Sequence, residues 1–182
     1  MKKLFSEIPE LIGKRIVLRK LTDADANGLQ ALKNDQAVYR WLPTFLFERK
    51  YNDPHTVIRR LYDECLEESL ILGVFMEGRF CGLAEMYGYR ETVHKISVGY
   101  RLMESEWGKG IATEALELMV GEALMNRSIE IITASTMVEN QASARVLLKN
   151  GFTRLPTPMY EDWGYEKPTL TDKWIRRIGI RR

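Results

Sequence analysis

A glycine-rich junction is the segment of this sequence whose residue types point most directly to chemistry. It runs from Leu102 to Thr113 and reads Leu-Met-Glu-Ser-Glu-Trp-Gly-Lys-Gly-Ile-Ala-Thr, between a predicted strand and a predicted helix. Glycine lets a backbone approach a diphosphate closely, and the unpaired amides of a first helical turn donate hydrogen bonds to its oxygens. Lys109 offers a mobile positive charge beside them. The spacing therefore indicates a phosphate-bearing ligand, and it fits an unliganded strand-to-helix turn equally well.

Two widespread phosphate-binding motifs do not explain this junction. A P-loop requires a longer gap between its first glycine and a Gly-Lys-Ser/Thr string, and no such string occurs. A dinucleotide-binding fingerprint requires glycine at the position of Thr113 and an acidic residue near the end of the next strand, whereas Glu130 lies at that strand's beginning. Neither kind of nucleotide site is therefore predicted.

Two motifs give the sequence a resemblance to a known family. Trp107-Gly108-Lys109-Gly110-Ile111-Ala112-Thr113-Glu114-Ala115 resembles the acyl-CoA signature of the Gcn5-related N-acetyltransferases (GNAT). The string Val138-Glu139-Asn140-Gln141-Ala142-Ser143, followed by Lys149-Asn150-Gly151-Phe152, is similar to the RimJ/RimL-type branch, which acetylates ribosomal-protein N-termini. The likeness in order and spacing of elements runs from Arg15 to Ile178.

The resemblance implies an α+β (mixed α/β) GNAT-like acyltransferase fold, a central twisted mixed sheet flanked by helices, with acetyl-CoA as co-substrate. In that fold the strands ending near Leu102 and Met137 splay apart, and pantetheine inserts between them. Leu102 is implied to bind pantetheine through its main chain. The residues implied to wrap the diphosphate are Trp107, Gly108, Lys109, Gly110, Ile111, Ala112 and Thr113.

Two polar residues after the next strand are implied to act near the thioester. Asn140 would bind the pantetheine arm, and Ser143, one helical turn further on, would donate a hydrogen bond or a proton to the departing thiolate. The alternative is that Asn140 only caps its helix and that Ser143 faces solvent, because asparagine is a favoured N-cap residue in any helix.

The sequence leaves the general base unassigned. Relatives of this branch often carry Glu before an Ile-Gly-Tyr string, but this chain reads Ser97-Val98-Gly99-Tyr100, and Ser97 cannot accept a proton at neutral pH. Glu85 on the preceding strand is the candidate replacement, and an exposed strand carboxylate is an equally good interpretation of it. The missing glutamate keeps a second function class open, a catalytically weak acyl-CoA sensor or adaptor.

The predicted reaction is direct transfer of an acetyl group from acetyl-CoA to a primary amine in a ternary complex. The amine is a protein N-terminus or a small molecule, and the sequence does not distinguish them. An aromatic cover from Tyr39 to Tyr51, together with Tyr87, Tyr89 and Trp163, is expected to shape the acceptor pocket. Cys65 and Cys81 fall outside the predicted site, which argues against a nucleophilic thiol.

Hydrophobic periodicity and turn signals give the elements that position these residues. The predicted helices are Asp23 to Lys33, a second beginning at Asp53-Pro54 with Val57, Ile58, Leu61, Tyr62 and Cys65 buried, a third carrying Ala112 to Ala123, and Asn140 to Lys149. The predicted strands are Ile16 to Lys20, Leu70 to Met76, Phe80 to Tyr89, Lys95 to Met103, Ile129 to Met137, and two between Phe152 and Ile180 around a turn from Glu161 to Lys167. In the Lys95 strand, Ile96, Val98, Tyr100 and Leu102 are expected to share one face.

Composition narrows the class of protein. The 182 residues carry 27 Lys+Arg against 25 Asp+Glu, a formal charge of +2, and 45% are hydrophobic. These values predict one domain over residues 1–182 with no nucleic-acid or membrane partner, although the C-terminal arginines are locally basic. The resemblance implies that this domain is an N-acetyltransferase, and it is expected to be cytoplasmic. No metal is expected, because His55 and His94 lack neighbouring ligands at suitable spacing. The sequence does not determine the oligomeric state, and a homodimer is one state compatible with it.

Overall fold

The computed structural model describes residues 7–64, 69–125 and 128–178. Its strands are β1 (Leu11–Ile12), β2 (Ile16–Arg19), β3 (Leu70–Met76), β4 (Arg79–Arg90), β5 (Lys95–Leu102), β6 (Ile131–Met137), β7 (Thr153–Arg154), β8 (Met159–Glu161) and β9 (Thr169–Arg177). Its helices are α1 (Ala26–Asn34), α2 (Gln36–Tyr39), α3 (Pro54–Glu64), α4 (Ile111–Met125) and α5 (Gln141–Lys149). All the strands form one sheet in the order β1-β2-β3-β4-β5-β6-β9-β7, and β8 pairs with β9.

The sheet opens in its middle. β5 and β6 run parallel and pair only at Lys95 with Ile131, Ile96 with Ile132 and Ser97 with Thr133, whereas every other strand pair is antiparallel. Beyond Ser97 the two strands separate, while the far edge of each stays paired with β4 or β9. The predicted mixed sheet and its splay are therefore confirmed, and the splay leaves a stretch of β5 backbone free to pair with a ligand.

Helices cover both faces of the sheet, and this explains the continuous apolar run of β3. Leu70, Leu72 and Val74 pack into the cluster under α4 and α5, whereas Ile71 and Phe75 pack into the cluster under α1 and α3. A strand buried on both faces loses the usual alternation of apolar and polar residues. The two layers fix the sheet rigidly on either side of the opening.

The start of the first helix differs from its prediction in detail. A single 3-10 turn, Asp23–Asp25, precedes α1, and the Asp25 carboxylate caps the start of that turn by accepting a hydrogen bond from the amide of Thr22 at 2.8 Å. The same carboxylate accepts two hydrogen bonds of 2.9 Å from Arg19. Burial acts to raise the pKa of Asp25, but these hydrogen bonds outweigh it and hold that pKa below its usual range.

Other boundaries shift by a few residues. The strand predicted to reach Met103 ends at Leu102, and β6 begins at Ile131 rather than Ile129. The aromatic cover contains the end of α2 and one 3-10 turn, Phe47–Arg49, and is otherwise irregular as expected. The C-terminal region adds β7 to the two predicted strands, and two prolines between β7 and β8 prevent them from forming one strand. Cys65, Ile180 and the last two arginines lie outside the described residues.

None of the described helices combines the length and the apolar character that a membrane crossing needs.

Candidate active site

A cleft of about 1170 Å³ occupies the opening between β5 and β6. Its walls are the diverging parts of these strands, the turn before α4, the first turns of α4 and α5, and two surface segments that close one end. We call that end the acceptor half, which is lined by Glu85, Tyr87, Trp41, Phe45 and Trp163. A single continuous cavity therefore joins the glycine-rich junction to a carboxylate and a set of aromatic side chains.

The turn before α4 has the backbone shape that a phosphate group requires. Gly108 and Gly110 have φ angles of 73° and 78°, which residues with a Cβ rarely adopt. Nothing lies within 4 Å of the place where a Cβ on residue 108 would stand, so a ligand can approach this backbone closely. The amides of the first turn of α4 have no partner within the helix and are available to an anion.

Most of the residues that the resemblance assigned to the diphosphate line this cleft. They are Trp107, Gly108, Gly110, Ile111, Ala112 and Thr113. Lys109 differs from the expectation of a mobile charge at the ligand, since its ammonium lies 3.2 Å from Glu106 and it does not line the cleft. The turn therefore presents backbone amides rather than the Lys109 ammonium to the cleft.

Three ion pairs that the sequence did not reveal hold the turn in place. Arg15 donates to the carbonyl oxygen of Lys109 at 2.9 Å, and its Nε lies 3.1 Å from Glu114 on α4. Glu106 is buried and accepts hydrogen bonds from Arg79 and Lys109. The bond from Arg79 lowers the pKa of Glu106 below its usual range despite the opposing effect of burial.

Leu102 ends β5 where the splay is wide. Its carbonyl oxygen accepts a hydrogen bond of 2.9 Å from the indole Nε1 of Trp107. A carbonyl oxygen has two lone pairs, so this contact leaves one for a second donor. The indole thus fixes the start of the turn relative to the strand.

Asn140 and Ser143 lie on the opposite wall, at the N-terminus of α5. The Oδ1 atom of Asn140 accepts a hydrogen bond of 3.1 Å from the amide of Ser143, so Asn140 caps the helix. Both residues also line the cleft, and the Ser143 hydroxyl lies 2.8 Å from the hydroxyl of Tyr100 on β5. Ser143 therefore faces the cleft rather than solvent, and the cap still leaves the Asn140 amide nitrogen available to a ligand.

Tyr100 is the hydrogen-bond partner of Ser143. The sequence did not predict this contact, because its pattern placed Tyr100 only within a strand. Burial raises the pKa of Tyr100 to about 12, against the opposing effect of the hydrogen bond with Ser143. Its hydroxyl consequently keeps its proton over the whole physiological pH range and can donate a hydrogen bond to the hydroxyl of Ser143.

Glu85 lines the acceptor half and is only 9% exposed. The interpretation of Glu85 as an exposed strand carboxylate is therefore wrong. It pairs across the strands with Gly99, and a Cβ on residue 99 would lie 3.1 Å from Oε1 of Glu85, so glycine makes room for the carboxylate. Oε1 is also 3.1 Å from Nη1 of Arg101. Ser97 does not line the cleft, and its hydroxyl lies 3.0 Å from that of Thr133, where β5 and β6 still pair.

Two segments far apart in sequence meet over the acceptor half, and we call them the roof: residues 40–47 and 161–165. The amide of Thr44 donates to the carbonyl oxygen of Trp163 at 2.8 Å, and the Tyr165 hydroxyl donates to that of Leu42 at 2.6 Å. Gly164 has a φ of 79°, and a Cβ there would lie 1.9 Å from Oγ1 of Thr44. The two roof segments therefore pack so closely that a side chain at position 164 would clash with Thr44.

Some of the aromatic residues that were expected to shape the acceptor pocket line the cleft. Trp41, Phe45, Phe47, Tyr87 and Trp163 line the cleft. Tyr39, Tyr51 and Tyr89 do not, and the Tyr89 hydroxyl instead donates to the carbonyl oxygen of Ser128 at 2.9 Å.

The buried thiol lies away from the cleft. Cys81 is fully buried, does not line the cavity, and has a pKa raised by burial, so its thiolate is not available as a nucleophile. Across residues 7–64, 69–125 and 128–178, no three His, Cys, Asp or Glu side chains are grouped so that they could hold a metal ion. His55 lies beside Asp23, and His94 beside the carbonyl oxygen of Ser128.

Comparison with known proteins identifies this arrangement. Residues 15–153 match the family model of the acetyltransferase (GNAT) domain. The chain belongs to the GNAT acetyltransferase family. A GNAT relative described as a probable N-acetyltransferase, YjcK of Bacillus subtilis (strain 168), is 35% identical over 155 residues, which cover 78% of this chain and 82% of that protein.

Solved GNAT structures share the fold over nearly the whole chain. RimJ of Mycobacterium smegmatis, in complex with CoA-disulfide, matches with a TM-score of 0.80 at 19% identity and covers 97% of this chain and 90% of its own. RimL, a ribosomal L7/L12 alpha-N-protein acetyltransferase in complex with coenzyme A, matches with a TM-score of 0.76 at 18% identity and covers 94% and 97%. The predicted GNAT fold of RimJ/RimL type and the prediction of an acetyl-CoA-dependent N-acetyltransferase are confirmed.

The geometry of the cleft fits acetyl-CoA. A free strand edge on β5 suits the amide-bearing pantetheine arm, and the open glycine turn with the start of α4 suits a diphosphate. When bound, acetyl-CoA supplies an activated thioester for acyl transfer.

Proposed function

We propose that this GNAT enzyme transfers an acetyl group directly to a primary amine, either a protein N-terminus or a small-molecule amine. The observation that carries the proposal is the cleft itself, which holds Glu85 on one wall and the Ser143–Tyr100 hydroxyl pair on another, in one cavity with the glycine turn. A base for the incoming amine and a proton donor for the outgoing thiolate are the two groups that direct transfer requires.

Each group has a defined task in this scheme. Glu85 takes a proton from the acceptor, and the neutral amine attacks the thioester carbonyl carbon, so that a C–N bond forms and the C–S bond breaks. Amides on the unpaired edge of β5 polarise the carbonyl oxygen. Ser143 donates its proton to the thiolate and takes up the second proton that the nitrogen loses as the amide forms, while Tyr100 donates a hydrogen bond to Ser143 and orients it.

Direct transfer agrees with the position of the thiols. A covalent acyl-enzyme would need an activated nucleophile in the cleft. Cys81 is buried elsewhere, and Cys65 lies outside the described residues. The sensor or adaptor interpretation rested on Ser97 in place of a glutamate, and the buried carboxylate of Glu85 in the acceptor half removes that motivation.

The test is release of free CoA thiol from acetyl-CoA over a panel of peptides with free N-termini, polyamines, aminoglycosides and amino acids. RimL is named for acetylating an α-amino group, so N-terminal peptides form the first group of the panel. We expect at least one amine to raise the rate well above hydrolysis. If calorimetry shows acetyl-CoA binding while no amine accelerates thiol release, the proposed transfer to these classes of amine is wrong.

The hydroxyl pair is tested by Ser143→Ala and Tyr100→Phe. We expect Ser143→Ala to lower kcat about tenfold to a hundredfold, because a positioned proton donor is lost, and Tyr100→Phe to lower it less. Affinity for acetyl-CoA by calorimetry should stay within about twofold for both variants.

A matched control for these variants is Ser135→Ala, which removes another cleft hydroxyl, one that accepts a hydrogen bond from Lys173. It should keep full turnover. Full turnover in Ser143→Ala would remove Ser143 from the mechanism.

A cytoplasmic location and a homodimer stay predictions.

A further inference from the structure

Three charged side chains meet beneath the acceptor half, and their charges do not balance. Arg101, Glu48 and Glu85 are 3%, 1% and 9% exposed. Nε of Arg101 lies 2.6 Å from Oε1 of Glu48, and Nη1 lies 3.1 Å from Oε1 of Glu85. One guanidinium therefore serves two carboxylates, and the cluster carries one surplus negative charge when both are ionised.

The guanidinium is shared unequally. Glu48 also accepts from Nη2 of Arg101 at 2.8 Å and from the hydroxyl of Tyr39 at 2.8 Å, so both of its oxygens are engaged. Glu85 is contacted by one nitrogen of Arg101, Nη1, at 3.1 Å, which is longer than either distance to Glu48. Of the two carboxylates only Glu85 lines the cleft. Glu48 is thus the main counter-charge of Arg101, and the surplus charge falls on the carboxylate that a substrate can reach.

A proton on Glu85 would bring this cluster to neutrality. Unbalanced buried charge is costly, and Glu85 is the carboxylate of the cluster that a proton can reach from the cleft. Without the Glu48 carboxylate, Arg101 and Glu85 would form a balanced pair, and a proton on Glu85 would leave the guanidinium buried and unpaired. The ability of Glu85 to accept a proton therefore depends on a residue that does not touch the cleft.

We infer that Glu48 is a positioning residue that neutralises Arg101 and so makes Glu85 the proton acceptor for an amine that arrives as an ammonium ion. This inference rests on the proposed function and deepens it. An N–H bond of the ammonium breaks, an O–H bond forms at the Glu85 carboxylate, and the amine keeps the electron pair with which it attacks. The acceptor class is then a cationic primary amine, attracted by the surplus charge before it is deprotonated.

The other ionisable groups around Glu85 do not supply the missing balance. Tyr87 on β4 is neutral, because burial and the carboxylates of Glu85 and Glu161 raise its pKa above the usual range. Glu161 on β8 is paired with Lys173 on β9. Tyr39 on α2 is likewise held neutral, since burial and Glu48 raise its pKa. Lys33 and Arg49 act on Glu48 and on Tyr39 from beyond ion-pair distance of either glutamate, so among the described cations Arg101 is the one in direct contact with both.

The test measures the proton affinity of Glu85 without any acceptor. The full-length protein is labelled with 13C at the glutamate carboxyls, and the Glu85 resonance, assigned by its loss in Glu85→Gln, is followed by NMR against pH. We expect Glu48→Gln to move the Glu85 titration at least about one pH unit lower, and Arg101→Met to move it higher. Opposite movements distinguish charge balance from structural disturbance, and either variant alone tests the inference if the other does not fold.

A matched control is Asp25→Asn, which removes a buried carboxylate from a different arginine pair, away from the cleft. It should leave the Glu85 titration unchanged. With an amine found by thiol release, Glu48→Gln should also lower kcat about tenfold at unchanged acetyl-CoA affinity. A Glu85 titration that is the same in wild type and Glu48→Gln overturns the inference, even if amine acetylation is found. Absence of any acetylated amine counts against the proposed function and leaves the NMR result to decide the role of Glu48.

Discussion

Replacing Gly110 with glutamate is expected to weaken acetyl-CoA binding about a hundredfold, or roughly 3 kcal/mol. The reason is local: the residue sits at a φ of 78° immediately before α4, at the rim of the cleft. A side chain there strains the turn, and its Cβ would lie 3.1 Å from Nη2 of Arg15, the residue that braces the turn, so the first helical amides are displaced from the positions that suit a diphosphate. Calorimetry with CoA and with acetyl-CoA measures the loss directly, since both ligands carry the diphosphate.

A matched control separates this effect from general strain. Gly78 lies in the hairpin turn between β3 and β4 with a φ of 76°, and nothing lies within 4 Å of where a Cβ would stand. Gly78→Glu makes the same chemical change at nearly the same backbone angle and should leave affinity unaltered. If Gly110→Glu binds acetyl-CoA as tightly as wild type, the turn does not hold the diphosphate.

Replacing Glu85 with glutamine is expected to lower kcat about a hundredfold to a thousandfold. Glutamine keeps the shape of the side chain in the space that Gly99 leaves open, but it cannot take a proton from the amine. Since the change lies in the acceptor half, the acetyl-CoA affinity should stay within about twofold. Initial rates of thiol release with the best amine of the panel, together with calorimetry, give the two quantities.

Glu139 supplies the comparison for this variant, because it is an exposed carboxylate that also lines the cleft. Glu139→Gln should retain wild-type turnover. Equal rates for Glu85→Gln and wild type would show that the amine loses its proton to another group or to water.

The parts of the fold that the sequence predicts are those with a local periodic signal. The apolar run of β3, the helical stripe of α4 and the cap at Asn140 each determine their element without help from distant residues. The splay of β5 and β6 came from the resemblance to GNAT enzymes rather than from any pattern along the chain. The assignment of residues 1–182 to one domain stays a prediction.

The parts of the site that the sequence did not reveal depend on long-range contacts. Period-two alternation placed Tyr100 on the apolar face of β5 and Arg101 on the polar face. Arg101 is nevertheless buried, because residues 47–49 close over it. Glu48, its partner in that segment, is 53 positions away in sequence. Arg15 braces a turn 94 positions further on. Charged residues that pair at such separations carry no periodic signature, so only the folded chain shows which of them act on the cleft.

The roof has a consequence for how substrate recognition arises during folding. The Tyr165 hydroxyl reaches the carbonyl oxygens of Tyr39 and Leu42 across 126 and 123 positions of sequence. Closing loops of that size costs entropy that other tertiary contacts must repay. Arg15 reaches the turn before α4 across 94 positions, so both ends of the cleft depend on contacts between distant segments and both are complete only in the folded molecule.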